Sequence, residues 1–384
     1  MHYDIVVVGS GVAGSMTALT AARHGLRTAI LEKETLPRYK TCGGGLTYQA
    51  MQLLPPLPET VLEYEGQEVD ICFMEQDWNF RVQRQVPIVS MAMRSSLDHF
   101  ITQQAIATGA DLHQDTLLKN IRRENQVLHF ETSKGTFTAP FVIAADGASS
   151  RVAKTLGWKK ETRVLARALE YEVYTSEAEH QRLSERTRID FEGVPSGYAW
   201  VFPKRDHLSI GLGTFSPSKR DKKVNLHKLT EDYMAWLGMK NVHRIERHAA
   251  QIPISPRKDG LTQPGVFLVG DAAGLADPIT AEGISNALRS GKWAVEAIVE
   301  AERDPQQAET RYLEKLNEHL LPNLSAGRKL AWLFYRKPKW RNWLFERNGQ
   351  RLAENFTDLL LGRRSYPDAN SILRNVGRRF LVRT

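Results

Sequence analysis

Cysteine is scarce in this chain. Its 384 residues include two, Cys42 and Cys72, which excludes a disulfide-stapled scaffold and any four-cysteine zinc or iron–sulfur site within one chain. No metal site is expected. Long apolar runs are missing as well: none approaches the ~18–20 residues that a membrane-spanning helix needs. The start, Met1-His2-Tyr3-Asp4, leads straight into IVVVG, with no basic or signal-like apolar segment before it. The expectation is a cytoplasmic chain, or one held peripherally at a membrane surface. There is no internal repeat and no low-complexity tract. Hydrophobic residues make up 42% and charged residues 25%, which excludes a disordered or collagenous chain. At ~150 residues per domain, the length allows two or three domains.

Charge is unevenly placed. The whole chain has a net charge of +8, whereas Arg328–Thr384 has 14 Lys and Arg against 4 Asp and Glu, a net of +10, so residues 1–327 carry −2. A basic patch suits nucleic acid, an anionic membrane surface or an acidic protein, or simply a solvated face.

The N-terminus has a clear grammar. Residues 3–8 (YDIVVV) are a short β-branched apolar run, the pattern of a buried parallel strand. GSGVAG follows at 9–14, then SMTALTAARHG at helical spacing with Gly25 as a C-cap, then a second strand, RTAILEK. This is a βαβ unit. Gly9-x-Gly11-x-x-Gly14 sits where a strand turns into a helix. Its glycines serve a tight turn, backbone approach to a pyrophosphate and close helix–strand packing. The helix N-terminus offers N–H groups to phosphate. Glu32, ending the second strand, is placed to accept hydrogen bonds from ribose hydroxyls.

Two later segments repeat that grammar. FVIAA ends at Asp146-Gly147, and VFLVG runs into Gly270-Asp271 and AAGLADP. The C-terminal ends of strands in an open α/β sheet face the ligand crevice. An acid there meets a hydroxyl, or else caps the next helix. Between these segments, residues 67–91 and about 168–255 alternate polar and apolar, as strands of an antiparallel sheet do. From about 300 the chain is helical and increasingly basic.

The ordered set of GxGxxG, ADG and GDAAG resembles the FAD-binding pattern of the p-hydroxybenzoate hydroxylase-like flavoprotein superfamily. Two further segments narrow the resemblance. Pro37-Arg38-Tyr39-Lys40-Thr41-Cys42-Gly43-Gly44 resembles the CGG loop of the geranylgeranyl reductase family. Pro195 through Tyr198, Trp200, Phe202, Pro203 and Lys204 matches that family's PxxYxWxFPK pattern. The resemblance covers residues 1–300 or so. It implies a Rossmann-like FAD-binding domain (1–66, 94–165 and 256–300), an antiparallel substrate domain (67–93 and 166–255) and a basic helical region (301–384), an α/β plus α+β architecture.

The resemblance also implies which residues meet FAD. On the N-terminal side they are Gly9, Gly11, Val12, Ala13, Gly14, Glu32, Lys33 and Arg38. On the flavin side they are Cys42, Gly43, Gly44 and Arg94. The later turns add Asp146, Gly147, Gly270, Asp271, Gly274 and Gly283. Arg151 is an alternative to Arg94, which is favoured because a helix start places it toward phosphate. There is no second GxGxxG, so NADPH or a ferredoxin would meet the flavin transiently.

The implied reaction is reduction of isolated C=C bonds in an isoprenoid chain. Tyr198, Trp200 and Phe202 would share one face of a strand and form an apolar wall for a prenyl chain. The same alternation also suits plain core packing. Lys204, Arg205 and Lys40 are basic candidates for a diphosphate head. Cys42 and Tyr198 are the catalytic candidates, beside a flavin-bound proton or a water. The other readings of the fold are an FAD monooxygenase, against which the CGG loop and aromatic strand argue, and a non-enzymatic prenyl-lipid binder. Residues 328–347 interleave Trp332, Phe334, Tyr335, Trp340, Trp343 and Phe345 with seven Lys and Arg. That composition suits an interfacial segment on anionic lipid, or a helical cap with its aromatics turned inward. Pro338 divides it. Beside an FAD fold, no nucleic-acid partner is expected.

Overall fold

The computed structural model describes residues 1–158, 160–215 and 224–367. Ile5–Val8 is fully buried and lies centrally in a six-stranded sheet. It pairs in parallel with Thr28–Leu31 on one side and Phe141–Ala144 on the other, with Ile5 opposite both Thr28 and Phe141. Val266–Leu268 and Asp111–His113 extend the sheet in parallel, and Thr262–Gln263 adds a short antiparallel edge. Strands buried on both faces read as continuous apolar runs, which is why IVVV, TAIL and FVIA lack alternation.

Helix Val12–Arg23 is buried from Val12 to Ala21. It packs between this sheet and helices Arg94–Ala107 and Ile284–Glu300. Small residues make the fit possible. A Cβ on Gly291 would stand 2.6 Å from the Ala13 carbonyl oxygen, so the two helices approach backbone to backbone there. Thr17 and Thr20 donate to the carbonyls of Ala13 and Met16, which lets polar residues be buried without cost to the helix.

The second large sheet has seven strands, ordered Val242–Pro253, Leu165–Thr175, Leu208–Thr214, Gly197–Pro203, Thr187–Phe191, Glu68–Phe73 and Trp78–Gln83. Its pairs are antiparallel except where Glu68–Phe73 runs parallel to Thr187–Phe191. Val89–Ala92 continues the alternating stretch in sequence but leaves this sheet. It pairs instead with Gly45–Thr47 and Leu62–Gly66. Pro87, which has no N–H for a ladder, precedes the change of partner. A second three-stranded sheet holds Leu118–Glu124, Val127–Thr132 and Gly135–Ala139.

Three helices end the described chain: Pro305–His319, Leu321–Arg336 and Pro338–Leu360. Pro338 opens the last of them at its first turn, where a missing N–H costs nothing. The last two cover one face of the seven-stranded sheet. Phe345 stacks 4.5 Å from Phe73, and Phe334 lies 4.9 Å from Phe191. Tyr335 donates to the Ile279 carbonyl at 2.6 Å, and buried Arg341 donates to Glu192 at 2.7 Å. Trp332 and Trp343 instead remain 55% and 37% exposed. The segment therefore divides its aromatics between core and surface. The basic stretch continues through 368–384, outside the described residues.

Phe345→Ala should lower stability by about 3–5 kcal/mol, the cost of emptying a buried aromatic site. A fall in the denaturant midpoint of this chain measures it. An unchanged midpoint would mean that the C-terminal helices are not part of the core.

Candidate functional site

The first half of the site lies where the parallel strands end. Gly9 has φ +96°, and a Cβ on Gly14 would stand 1.9 Å from the Gly9 carbonyl oxygen. These two glycines serve the turn and the helix–strand approach. Gly11 differs. A Cβ there would meet first the guanidinium of Arg94 at 3.6 Å and then that of Arg38 at 3.9 Å. It lines a cavity together with Val12 and Ala13, at a helix start that no side chain caps. The geometry is a cradle of free N–H groups beside two cations, suited to phosphate.

Asp98 holds those cations. Arg94 donates to both its oxygens at 2.8 and 2.9 Å, and Arg38 donates to it at 3.1 Å. Asp98 was not legible as a site residue, although an acid four residues after Arg94 on a helix was the available signal. Glu32 is buried and accepts from the Ser10 N–H at 2.9 Å, the Ser10 hydroxyl at 2.6 Å and the Glu34 N–H at 3.0 Å. Burial pushes its carboxyl up, but the Ser10 bonds and Arg38 outweigh this and hold it below the ordinary carboxylate range. Lys33 points away, 66% exposed beside Glu34.

The later turns meet the same cavity. Gly147, Asp271 and Gly283 line it. Asp146 does not. One of its oxygens accepts from the N–H groups of Arg151 and Val152, capping helix Arg151–Thr155, and the other is buried without a partner. Arg151 itself is exposed. Gly270 is wedged between Ala287 and Ala13, and a Cβ on Gly274 would stand 2.2 Å from the Ser255 carbonyl oxygen. Both serve packing rather than the cavity.

The second half of the site comes from the seven-stranded sheet. Tyr198, Trp200 and Phe202 share a face, with ring centroids 6.1 and 5.9 Å apart in succession. All three line the cavity, and Tyr198 and Trp200 are also core residues. The alternation therefore serves core packing and the cavity wall at once. Gly211, opposite Trp200, makes room for it: a Cβ there would stand 2.2 Å from the indole. The Tyr198 hydroxyl donates to the Thr280 carbonyl, and burial, then Asp277, pushes its pKa up.

The glycine-rich loop lies against this wall. A Cβ on Gly43 would stand 2.8 Å from the Phe202 ring, and one on Gly44, at φ +72°, would stand 2.0 Å from the Ala92 carbonyl oxygen. Cys42 lines the cavity, with its thiol accepting from the Gly44 N–H at 3.4 Å. Lys204 is 2% exposed and donates to the Gly43 carbonyl at 2.7 Å. Arg205 donates to the carbonyls of Glu59 and Leu62. Of the three basic candidates, Lys40 alone lines the cavity. The missed residues here are Glu170 and Glu172, buried below the loop. In sequence they look like the polar side of an alternating strand.

A family model described as an FAD binding domain matches residues 2–310. Digeranylgeranylglycerophospholipid reductase 2 of Methanothermobacter thermautotrophicus is 31% identical over 318 residues, covering 78% of this chain and 79% of that one. The chloroplastic geranylgeranyl diphosphate reductase of Arabidopsis thaliana is 29% identical, covering 86% and 74%. This chain belongs to the geranylgeranyl reductase family. A solved geranylgeranyl bacteriochlorophyll reductase-like protein from Thermoplasma acidophilum superposes with a TM-score of 0.77 at 25% identity, covering 86% and 87%. The flavin-dependent brominase Bmp2, at 18% identity and TM-score 0.74 over the full length of both chains, shares the fold.

The protein is an FAD-dependent oxidoreductase, and its residues fit that cofactor. The Gly11 cradle leaves open the space that a Cβ would fill, and the guanidiniums of Arg94 and Arg38 face it; Glu32 lies behind it, bonded to Ser10 and Glu34 and off the cavity wall. Gly11→Ala should leave the apoprotein's unfolding midpoint nearly unchanged, because the new Cβ meets nothing closer than 3.6 Å. It should weaken FAD binding by about tenfold or more, ~1.4 kcal/mol, read from flavin absorbance after dialysis. Full flavin retention would remove Gly11 from the pyrophosphate site.

Proposed function

We propose that this flavoprotein saturates isolated C=C bonds of a geranylgeranyl or polyprenyl chain. The observation that carries the reading is one continuous cavity. It runs from Gly11 and Asp271 past Cys42 to the wall of Tyr198, Trp200 and Phe202, and on to Phe356 and Leu360 of the last helix. A long apolar substrate with few polar handles is held by such a wall and not by hydrogen bonds. Bound FAD, once reduced, supplies hydride. The protein supplies orientation and a dry site: Val89, Ile189 and Phe215 line the cavity alongside the aromatic wall, and Lys204 pins the glycine loop. Tyr198 serves as wall and not as proton donor, because its proton is committed to the Thr280 carbonyl and burial holds it there.

The charges favour a prenyl lipid over a free diphosphate. Lys204 and Arg205 are committed to backbone carbonyls, and Glu170, Asp271 and Glu282 stand on the cavity wall beside Lys40 and Arg94. The surface near the cavity supports delivery from a membrane. Helix Pro338–Leu360 carries exposed Trp343 near its start and cavity-lining Phe356 and Leu360 near its end. Lys337 lies over Trp332 at 5.6 Å and Arg347 over Trp343 at 4.4 Å, the pairing of aromatic and basic groups that suits an anionic interface. Among the described residues no helix is long and apolar enough to cross a membrane. NADPH or a ferredoxin is the donor, meeting the flavin from outside.

The dithionite-reduced, anaerobic holoenzyme should add two hydrogens per double bond to a geranylgeranyl lipid, and fewer to geranylgeranyl diphosphate, as read by mass spectrometry. A flavin that reduces normally while every prenyl chain stays unchanged would overturn the reading. NADPH-driven oxygen uptake with substrate would move it to a monooxygenase. Trp332→Ala combined with Trp343→Ala should weaken sedimentation with phosphatidylserine vesicles by about tenfold or more, at roughly 1–2 kcal/mol per lost aromatic. Unchanged sedimentation would remove these residues from membrane contact.

A further inference from the structure

An alkene that gains a hydride must also gain a proton, and a cavity filled by a prenyl chain is closed to bulk water. The protein holds a line of titratable groups with one end in that cavity and the other at the surface. We propose that Asp206, His207, Glu172, Tyr39 and Glu170 form a proton-entry line that feeds the cavity beside Cys42, a proposal that rests on the prenyl-reductase reading above.

The inner end is Glu170, 1% exposed on its strand and part of the cavity wall. One oxygen accepts from the Cys42 N–H at 2.7 Å and the other from the Ser209 hydroxyl at 2.8 Å. Glu172 lies two residues along and so on the same face, also 1% exposed. The Tyr39 hydroxyl bridges the pair, 3.4 Å from Glu170 and 3.3 Å from Glu172. The second oxygen of Glu172 lies 3.1 Å from His207 Nε2. These two atoms are out of line for a hydrogen bond and have no other partner, so a turn of the ring joins them. On its outer side His207 Nδ1 lies 2.7 Å from Asp206, whose side chain is 73% exposed.

Each step conserves protons. Protonated Glu172 passes its proton to the Tyr39 oxygen as the Tyr39 proton passes to Glu170. Doubly protonated His207 then refills Glu172 from Nε2, and turning over brings the emptied nitrogen to the Asp206 side, where water reprotonates it. Glu170 releases one proton into the cavity for each one that enters, and no electron moves along the line. Burial, then the charge of Glu172, pushes Glu170 up to about 7, against Lys204, Ser209 and the Cys42 N–H, which pull it down. Burial lowers His207, but Glu172 and Asp206 outweigh it and leave it raised. Glu170 thus exchanges protons near neutrality, where a relay works best, and His207 holds its proton more tightly than a free imidazole does.

The neighbouring groups are charged from every side. Lys204 faces the two carboxylates from the end of the aromatic strand, with its own pKa lowered by burial. His248 and Glu246 lie opposite Glu170 and Glu172 in the adjoining strand, and His248 stacks on Tyr39 at 4.0 Å. Tyr174 stacks on His207 at 4.8 Å under the guanidinium of Arg244. His180 reaches the backbone carbonyls of Lys204 and His207.

A purely structural cluster would anchor the glycine loop and carry no protons, and two measurements separate the cases. Infrared titration of the holoenzyme without substrate should show a protonated carboxyl band fading with a midpoint of about 7, absent in Glu170→Gln, which keeps an acceptor for Cys42. A wild type with no such band would overturn the proposal. Rapid mixing of dithionite-reduced enzyme with a geranylgeranyl lipid should show His207→Ala and Glu172→Gln slowed by about tenfold or more. Added imidazole should restore His207→Ala and leave Glu170→Gln slow. Variants at the wild-type rate, or a slow His207→Ala that imidazole leaves slow, would overturn it. If the wild type leaves the prenyl chain unchanged, the prenyl-reductase reading fails, and the infrared result still decides the protonation of Glu170.

Discussion

A lysine ammonium taken out of water is stable only where acceptors and opposite charge surround it. Lys204 finds both beneath the glycine-rich loop. Its Nζ donates to the Gly43 carbonyl at 2.7 Å, and Glu172 and Glu170, both on strand Leu165–Thr175, favour its charge from across the intervening strand. The consequence reaches both halves of the molecule. The loop between Leu36 and Gly44 belongs by sequence to the nucleotide side, yet its path is set by the end of the aromatic strand. Gly43 and Gly44 have no room for side chains because Phe202, Lys204 and Ala92 press against them. Cys42 is brought to the cavity by the same clamp, held by its own N–H on Glu170.

What was legible in the sequence was whatever has a short period or a local turn. The βαβ unit, the three chain returns and the facing of Tyr198, Trp200 and Phe202 follow from spacing alone. What was not legible depends on burial and on distant pairing. Lys204 reads as a basic group ending an aromatic strand, suited to an anionic head, and burial turns it into a loop anchor. Glu170 and Glu172 read as the outward side of alternation, but the outward side here faces the site. Nothing local marks the parallel junction between Glu68–Phe73 and Thr187–Phe191, because more than a hundred residues separate the two strands. Asp146 and Gly274 carry motif positions and serve helix capping and packing.

One sheet face thus does two kinds of chemistry along its length. Near Tyr198 it is aromatic, with Gly211 and Gly213 opposite to make space. Near Glu170 and Glu172 it is acidic and hydrogen-bonded. An apolar chain and Glu170 are compatible neighbours because burial pushes its pKa up to about 7, which makes its neutral form accessible near neutrality. The same desolvation that would penalise a charged head favours a group able to give up a proton on demand.

The C-terminal helices close the remaining side, and their sequence reflects two opposed demands. Phe345, Tyr335 and buried Arg341 must satisfy a core, so the guanidinium is paired with Glu192 and the tyrosine hydroxyl with a carbonyl. Trp332 and Trp343 stay at the surface. Aromatic rings left at the surface cost solubility unless something apolar covers them, and here each lies under a cation. Phe356 and Leu360 of the helix that carries Trp343 reach the cavity beyond a bend at Asn348, so the surface that would meet a lipid and the wall that would hold its chain succeed each other along one stretch of chain.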